Sequence, residues 1–177
     1  FRVLDAIAPG RIDLGLGRAP GSDGKTAFAL NRDADTDAEN FPANVRDLMA
    51  WVSAQPLIDG HPFANIKAKP MSKTGPEIWM LGTSDYGAQV AAHFGIPYCF
   101  AHFITDGRGA SQAIELYRRS YRASAQFPAP VATVCVWALA AETDVQAGRL
   151  FQSRAHWKAR REQGDLGPVP PPEIADD

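Results

Sequence analysis

The amino-acid sequence predicts an α/β fold built on a parallel sheet. Strand-like and helix-like apolar segments alternate, in units of about thirty residues with short connections. Parallel strands need such crossover helices, and burial on both faces suits their nearly continuous apolar character. Hydrophobic residues make up 45% of the 177 positions, which is enough for a substantial core.

The first part of the chain is predicted to hold two helices and one strand. Pro9 and Gly10 break the first helix, and Pro42 occupies a favourable position in the first turn of the second. The predicted elements are a helix over 1–8, a strand over 11–18, a polar loop over 20–40, a helix over 42–54 and a loop over 55–76 with a short strand near Ile66. The long polar loop is typical of a lid or binding loop.

The second part continues the alternation with three strand–helix units. Gly95 suits a left-handed helix end, and Pro128 and Pro130 introduce the last strand. The predicted elements are strands over 77–82, 98–104 and 131–140 and helices over 85–94, 108–124 and 143–163. We expect one domain over 1–163 and an extended, proline-rich tail over 164–177.

Composition excludes several classes of function. A net charge of −2 gives no support for binding nucleic acid or an anionic membrane. No apolar run reaches the length of a membrane span. Cys99 and Cys135 lie in apolar strand-like runs, which predicts reduced, buried thiols in a cytoplasmic protein. No residues have the spacing of a metal site, so we expect no metal.

The stretch RIDLGLGRAPGSD places two glycines in a strand and an arginine at its exit. Its glycine spacing, GxGxxxG, departs from the dinucleotide-binding fingerprint. Gly15 and Gly17 share one face of the strand and leave it open to a planar ligand or to another backbone. Arg18 follows at the carboxyl end, where a guanidinium suits a phosphate. Tight packing with a rim salt bridge to Asp23 explains the pattern equally well.

A second candidate site is the turn between the predicted strand 77–82 and helix 85–94. Gly82, Thr83 and Ser84 lead into the helix, whose first amides form an anion site, and Gly87 keeps the approach open. An ordinary helix cap with Asp85 in its first turn is the alternative. His102, near the end of the next strand, is a candidate ligand contact or a core histidine.

These motifs resemble those of the bacterial luciferase-like, flavin-dependent monooxygenases. The similarity joins GRIDLGLGRAPGSD to IWMLGTSDYGAQVAAHFGIPYCFAHFI and continues through nearly the whole chain. The resemblance implies a (β/α)₈ TIM-barrel fold and the use of reduced FMN, or less often F420, with O₂ on small organic substrates such as aldehydes or alkanes. A flavin reductase is a further implied partner. The implied cofactor-binding residues are Gly15, Gly17, Arg18, Ala19, Pro20, Gly82, Thr83, Ser84, Tyr86 and Gly87.

The chain departs from this family in its length. A complete barrel needs eight strands and about 250 residues, whereas about four βα units are predicted here. The catalytic residues are therefore unknown and are expected outside this chain. The expected function is a flavin-dependent monooxygenase or a fragment of one. The alternatives are a non-catalytic flavin- or phosphate-binding remnant that self-associates through open strand edges, as a homo-oligomer, and a phosphosugar enzyme.

Overall fold

The computed structural model describes residues 1–19 and 23–175. In the described residues a four-stranded parallel sheet has the strand order β1-β2-β3-β4. The strands are β1 (Asp13–Leu16), β2 (Glu77–Gly82), β3 (Tyr98–Phe100) and β4 (Ala132–Val134). The helices are α1 (Arg2–Ile7), α2 (Gly24–Leu30), α3 (Ala34–Glu39), α4 (Phe41–Val52), α5 (Asp85–Phe94), α6 (His102–Thr105), α7 (Ala110–Ser120), α8 (Asp144–Glu162) and α9 (Pro172–Ala175). This confirms the α/β class and a partial barrel.

The core lies between one face of the sheet and the helices that follow the strands. Neighbouring strands place Leu14 beside Ile78 and Met80 beside Tyr98 in register. These side chains and Phe100 are buried together with apolar residues of α4, α5 and α7. Since side chains alternate along a strand, the residues between them face the other way.

Helix α5 has the predicted bounds because local signals fix both of its ends. Gly95 ends it in the left-handed conformation, with φ of +63°. A Cβ atom on Gly95 would lie only 2.4 Å from the carbonyl oxygen of Arg122. Both the conformation and the close approach of the segment after α7 therefore require glycine here.

Two short helices occupy most of the segment predicted as the loop 20–40, so that prediction is wrong. The Asp23 carboxylate caps α2 by accepting from the amides of Lys25 and Thr26 at 2.9 and 3.1 Å. Neither α2 nor α3 has the apolar stripe of a core-facing helix, and α2 buries no residue. Local capping, which leaves no periodic apolar pattern in the sequence, therefore sets the start of α2.

The predicted strands 98–104 and 131–140 are too long. Strand β3 stops at Phe100 and α6 begins at His102, while β4 holds only three residues. β-propensity continues beyond these points, but a strand requires hydrogen-bonding neighbours as well. No strand forms near Ile66, which lies in a described loop. The expected burial of Cys135 is also wrong, because this free thiol is exposed.

Two buried charges fix α1 against the loop before β2. The Arg2 guanidinium donates to the carbonyl oxygens of Pro70 and Val52 at 2.9 and 2.6 Å. The Asp5 carboxylate accepts from the hydroxyl of Thr74 at 2.7 Å, and this hydrogen bond keeps the pKa of Asp5 below its usual value. These specific hydrogen bonds offset much of the cost of burying the two charges, although the second terminal nitrogen of Arg2 has no hydrogen-bond partner within the described residues.

The chain divides into two compact units, Phe1–Val136 and Trp137–Asp177. In the second, Thr143 caps α8 by accepting from the amide of Gln146, and the indole of Trp157 donates to Gly167 at 2.9 Å. Helix α9 lies in the segment predicted as an extended tail. The proposed division into a domain over 1–163 and a tail over 164–177 stays a prediction.

Candidate functional site

A cavity of about 450 Å³ lies at the carboxyl ends of the strands in the first unit. Residues that follow each of the four strands line it, including Arg18, Ser84, Phe103 and Cys135. In parallel α/β folds, ligands bind at this end of the sheet because helix N-termini and loops converge there. The cavity is therefore the candidate site of the first unit.

Arg18 lies at the cavity where the chain leaves β1, beside Gly17 and Ala19. Its guanidinium carbon stacks 4.2 Å from the centre of the Tyr86 ring. This cation–π contact orients an otherwise flexible, exposed side chain. Asp23, the alternative partner considered for this arginine, caps α2. The stacked guanidinium is thus a positive charge at the rim of an apolar cavity.

The turn after β2 supplies the second polar wall. Gly82, Thr83 and Ser84 line the cavity, and Ser84 is the N-cap of α5 but makes no capping hydrogen bond with its side chain. The first amides of this ten-residue helix therefore keep their hydrogen-bonding capacity at the positive end of the helix dipole. An anion in the cavity would satisfy these donors.

Tyr98 supports this turn from the buried side of the sheet. Its hydroxyl lies 3.5 Å from the carbonyl oxygens of both Gly82 and Ser84. Burial, with a contribution from the carboxylate of Asp85, raises the pKa of Tyr98 to about 12. The hydroxyl therefore keeps its proton at neutral pH and acts only as a donor to the turn.

The glycines of the two motifs have different neighbours. Gly82 and Gly87 lie side by side, since a Cβ atom on either would meet the other's Cα at 3.8 Å. Gly17 lines the cavity, and among the described residues a Cβ atom there would contact only the carbonyl oxygen of Leu81, at 3.6 Å. On Gly15 a Cβ atom would lie 2.8 Å from Cδ1 of Leu81. Gly15 therefore accommodates a neighbouring side chain within the sheet.

The structure brings most of the predicted cofactor-binding residues together. Eight of them line the cavity: Gly17, Arg18, Ala19, Gly82, Thr83, Ser84, Tyr86 and Gly87. Gly15 and His102 do not line it, and the His102 ring lies where a Cβ atom on Gly107 would be, 2.5 Å from Nε2. Pro20 lies outside the described residues. The role of each residue in cofactor binding stays a prediction.

Sequence reasoning missed the apolar part of the lining. Phe41, Leu81, Phe103 and Ile104 contribute to the cavity, together with both free cysteines. Strand alternation could have identified Leu81 and Cys99, because they face away from the buried Met80 and Tyr98. Phe41, Phe103 and Ile104 lie on helices, and no sequence signal places them here.

No group of three or more side chains in the described residues could hold a metal ion. Among the helices of the described ranges, none is long and apolar enough to span a membrane.

Fold and site together define a partial α/β barrel with a cavity at the carboxyl ends of its strands, lined on one side by Arg18 and the turn before α5. Comparison with known proteins identifies the family: the luciferase-like monooxygenase profile matches residues 1–168, so the chain belongs to that family. A luciferase-like monooxygenase of Escherichia coli (strain K12) is 40% identical over 173 residues, which are 97% of this chain and 50% of the relative. An N-acetyl-S-alkylcysteine monooxygenase of Bacillus subtilis (strain 168) is 34% identical over 70% of this chain and 36% of its own length.

A solved structure confirms the fold. The crystal structure of apo-MsnO8 superimposes with a TM-score of 0.80 at 33% identity, over 99% of this chain and 50% of that protein. The chain therefore spans about half the length of the E. coli relative and of MsnO8. Members of this family generally use reduced flavin or F420.

Proposed function

We propose that the cavity binds FMN, with the phosphate between Arg18 and the first amides of α5. The observation that carries this proposal is that a stacked guanidinium and an uncapped helix N-terminus line one cavity. Each can contact a dianion, and together they supply charge and directed N–H donors. The turn residues Thr83 and Ser84 add hydroxyl groups at the same wall.

The remaining lining suits the flavin ring system. Phe41, Leu81, Phe103 and Ile104 provide an apolar surface next to the polar wall. An apolar cavity with a few convergent polar groups is typical of cofactor sites, and 450 Å³ lies in their usual range. Gly17, which lacks a side chain, leaves the rim open for the approach of a planar ring.

We propose that the complete site serves a monooxygenase reaction on a small organic substrate such as an aldehyde or alkane. Reduced flavin supplies electrons to O₂ in such reactions. The residues of this chain bind the cofactor, orient it and keep water away from it. We favour FMN over F420, with a flavin reductase as the source of reduced flavin. Both cysteines are free thiols, which supports a cytoplasmic location.

Titration of FMN and riboflavin into the protein, followed by flavin fluorescence, tests the phosphate site. Riboflavin lacks the phosphate, so the ratio of the FMN affinity to the riboflavin affinity isolates the contribution of the phosphate to binding. Arg18→Ala should weaken FMN binding about 10- to 100-fold because it removes a charge-assisted contact, while riboflavin binding changes little. Arg119→Ala, at an exposed position in the last turn of α7, is the matched control.

Equal loss of FMN and riboflavin affinity in Arg18→Ala would contradict the phosphate assignment. Binding of inorganic phosphate or a sugar phosphate without any riboflavin binding would favour the phosphosugar alternative.

A second candidate is a flavin-binding module without its own turnover, since the cavity lining supplies polar groups for a phosphate and an apolar surface for a ring system. It predicts FMN binding with the same Arg18 dependence but no consumption of O₂ beyond that of free reduced flavin.

A further inference from the structure

We propose that His102 is a positioning residue for the apolar wall of the cavity. Its ring packs against Gly107 and holds the short helix α6 so that Phe103 and Ile104 face the flavin ring. This inference rests on the proposed function, because it assigns that wall to the ring system of the cofactor. His102 itself lies outside the cavity lining, so it acts through its two neighbours.

Helix α6 presents two of its side chains to the cavity. It begins one residue after β3 and has only four residues, of which Phe103 and Ile104 line the cavity and His102 does not. A single helical turn is not stable on its own, because the ordering of its residues costs more than its few hydrogen bonds contribute. Contacts outside the helix must therefore fix the direction in which Phe103 and Ile104 point.

Backbone hydrogen bonds hold both ends of α6. The amide of Phe103 donates to the carbonyl oxygen of Cys135 at 3.1 Å, which joins α6 to the segment after β4. The amide of Gly107 donates to the carbonyl oxygen of His102 at 3.2 Å and closes the turn. Asp106 and Gly107 are both left-handed, with φ of +51° and +80°. This bend brings the backbone of Gly107 against the His102 side chain.

The contact between His102 and Gly107 leaves no room for a side chain at position 107. A Cβ atom on Gly107 would lie 2.5 Å from Nε2 and 2.8 Å from Cδ2 of the His102 ring. Within the described part of the chain, the ring nitrogens have no hydrogen-bond partner. Packing against the glycine backbone therefore sets the orientation of the ring, and a larger residue at 107 would displace it.

A displaced His102 ring would change the cavity through α6. His102, Phe103 and Ile104 are consecutive residues of one helical turn, so a shift of the first changes the direction of the next two side chains. None of the three belongs to the buried core cluster of the described residues. The shift should therefore change ligand binding more than it changes stability.

Riboflavin binding, followed by flavin fluorescence, tests the proposal with Gly107→Ala and Gly109→Ala as a matched pair. Both glycines are left-handed, with φ of +80° and +83°, so alanine adds similar backbone strain at each. At 107 the new Cβ atom would meet the His102 ring, whereas at 109 its nearest described neighbour would be Gln112, at 3.9 Å. Gly107→Ala should weaken riboflavin binding about 10-fold and Gly109→Ala by less than about 2-fold.

Substitution of His102 separates a positioning role from a general loss of structure. His102→Ala should weaken riboflavin binding to a similar extent as Gly107→Ala. Once the ring is absent, adding Gly107→Ala should change the affinity no more than Gly109→Ala does. His102→Gln keeps a planar group of similar reach and should retain an affinity within about 2-fold of the wild type. In each variant the FMN affinity should fall by the same factor as the riboflavin affinity, unlike in Arg18→Ala.

Hydrogen exchange of the Phe103 and Ile104 amides, followed by NMR, gives a readout that needs no flavin. Exchange should be faster in Gly107→Ala than in Gly109→Ala, and equal rates would contradict the role of His102.

Normal FMN binding with its Arg18 dependence, but equal riboflavin affinities of Gly107→Ala and Gly109→Ala, would overturn this inference alone. A loss in His102→Gln as large as in His102→Ala would also overturn it. A wild type that binds neither flavin would overturn the proposed function and, with it, the assignment of this wall to the flavin ring.

Discussion

The two faces of the sheet use alternate residues of the same strands for different purposes. On the helix-covered face, Met80 is 1% exposed, and Tyr98 and Phe100 are fully buried. On the other face Leu81 is 41% exposed and Cys135 is exposed as well. Period-two alternation of side chains separates the two sets completely.

The difference shows where stability and recognition are located. The covered face holds large side chains whose polar atoms have partners, such as the Tyr117 hydroxyl, which donates to Ile96 and accepts from Val131. The uncovered face carries Leu81 and Cys99, which also line the candidate cavity. Substitutions on the first face should therefore change stability, and those on the second should mainly change binding.

Truncation of one large side chain on each face gives the largest expected contrast. Phe100→Ala should lower the free energy of unfolding by about 3–5 kcal/mol because it leaves a cavity in the core. Leu81→Ala should cost less than about 1 kcal/mol because much of its surface is already in water. Urea unfolding of the two variants and the wild type measures both losses. Similar losses of unfolding free energy in the two variants would contradict the distinction between the two faces.

Adding one methyl group to a glycine near each face tests the comparison of the two faces more finely. Gly95→Ala should cost about 2 kcal/mol or more, since φ is +63° and Cβ would lie 2.4 Å from a backbone oxygen. Gly15→Ala meets only the flexible, exposed Leu81 side chain, at 2.8 Å, and should cost at most about 1 kcal/mol. Thermal unfolding of the two variants tests this order, which the opposite ranking would contradict.

Removal of one hydroxyl tests whether polar contacts differ between the regions. Tyr117→Phe should cost about 1–3 kcal/mol because the amide of Val131 and the carbonyl of Ile96 lose their partner. Tyr86→Phe, beside the cavity, should change stability by less than about 0.5 kcal/mol, since its hydroxyl has no hydrogen bond within the described residues. It also keeps the ring that stacks on Arg18. Chemical denaturation distinguishes the two variants. An unchanged free energy of unfolding in Tyr117→Phe would show that this hydroxyl does not contribute to stability.

Alkaline pH gives the smallest expected effect for a single side chain. Burial raises the pKa of Tyr98 and of Tyr117 from 10.0 to about 12. The folded state holds these protons more tightly than the unfolded state. The contribution of each protonated tyrosine to the free energy of unfolding is therefore complete below pH 10 and is lost as the pH rises towards 12. The free energy of unfolding should be lower at pH 11 than at pH 9, by about 1 kcal/mol for each tyrosine. Tyr98→Phe should reduce the difference; an unchanged difference would contradict the assignment.

The elements predicted most accurately are those whose limits are encoded locally. Strand β2 and helix α5 have the predicted bounds because a glycine turn separates them and Gly95 ends the helix. Helix α2 was missed although its cap, Asp23, is visible in the sequence, because it lacks an apolar face. Strand β4 was predicted too long because strand propensity does not report where the neighbouring strand ends.

The sequence by itself determined the α/β class, the family resemblance and the two polar motifs at Arg18 and at residues 82–84. Capping, glycine positions and strand periodicity depend on neighbours in the chain, so they can be read directly. Only the tertiary structure decided that Arg18 stacks on Tyr86, that Phe103 and Cys135 join the same cavity, and that Gly15 makes room for Leu81. Those contacts join residues distant in sequence, and the packing of the strands and helices against one another fixes them.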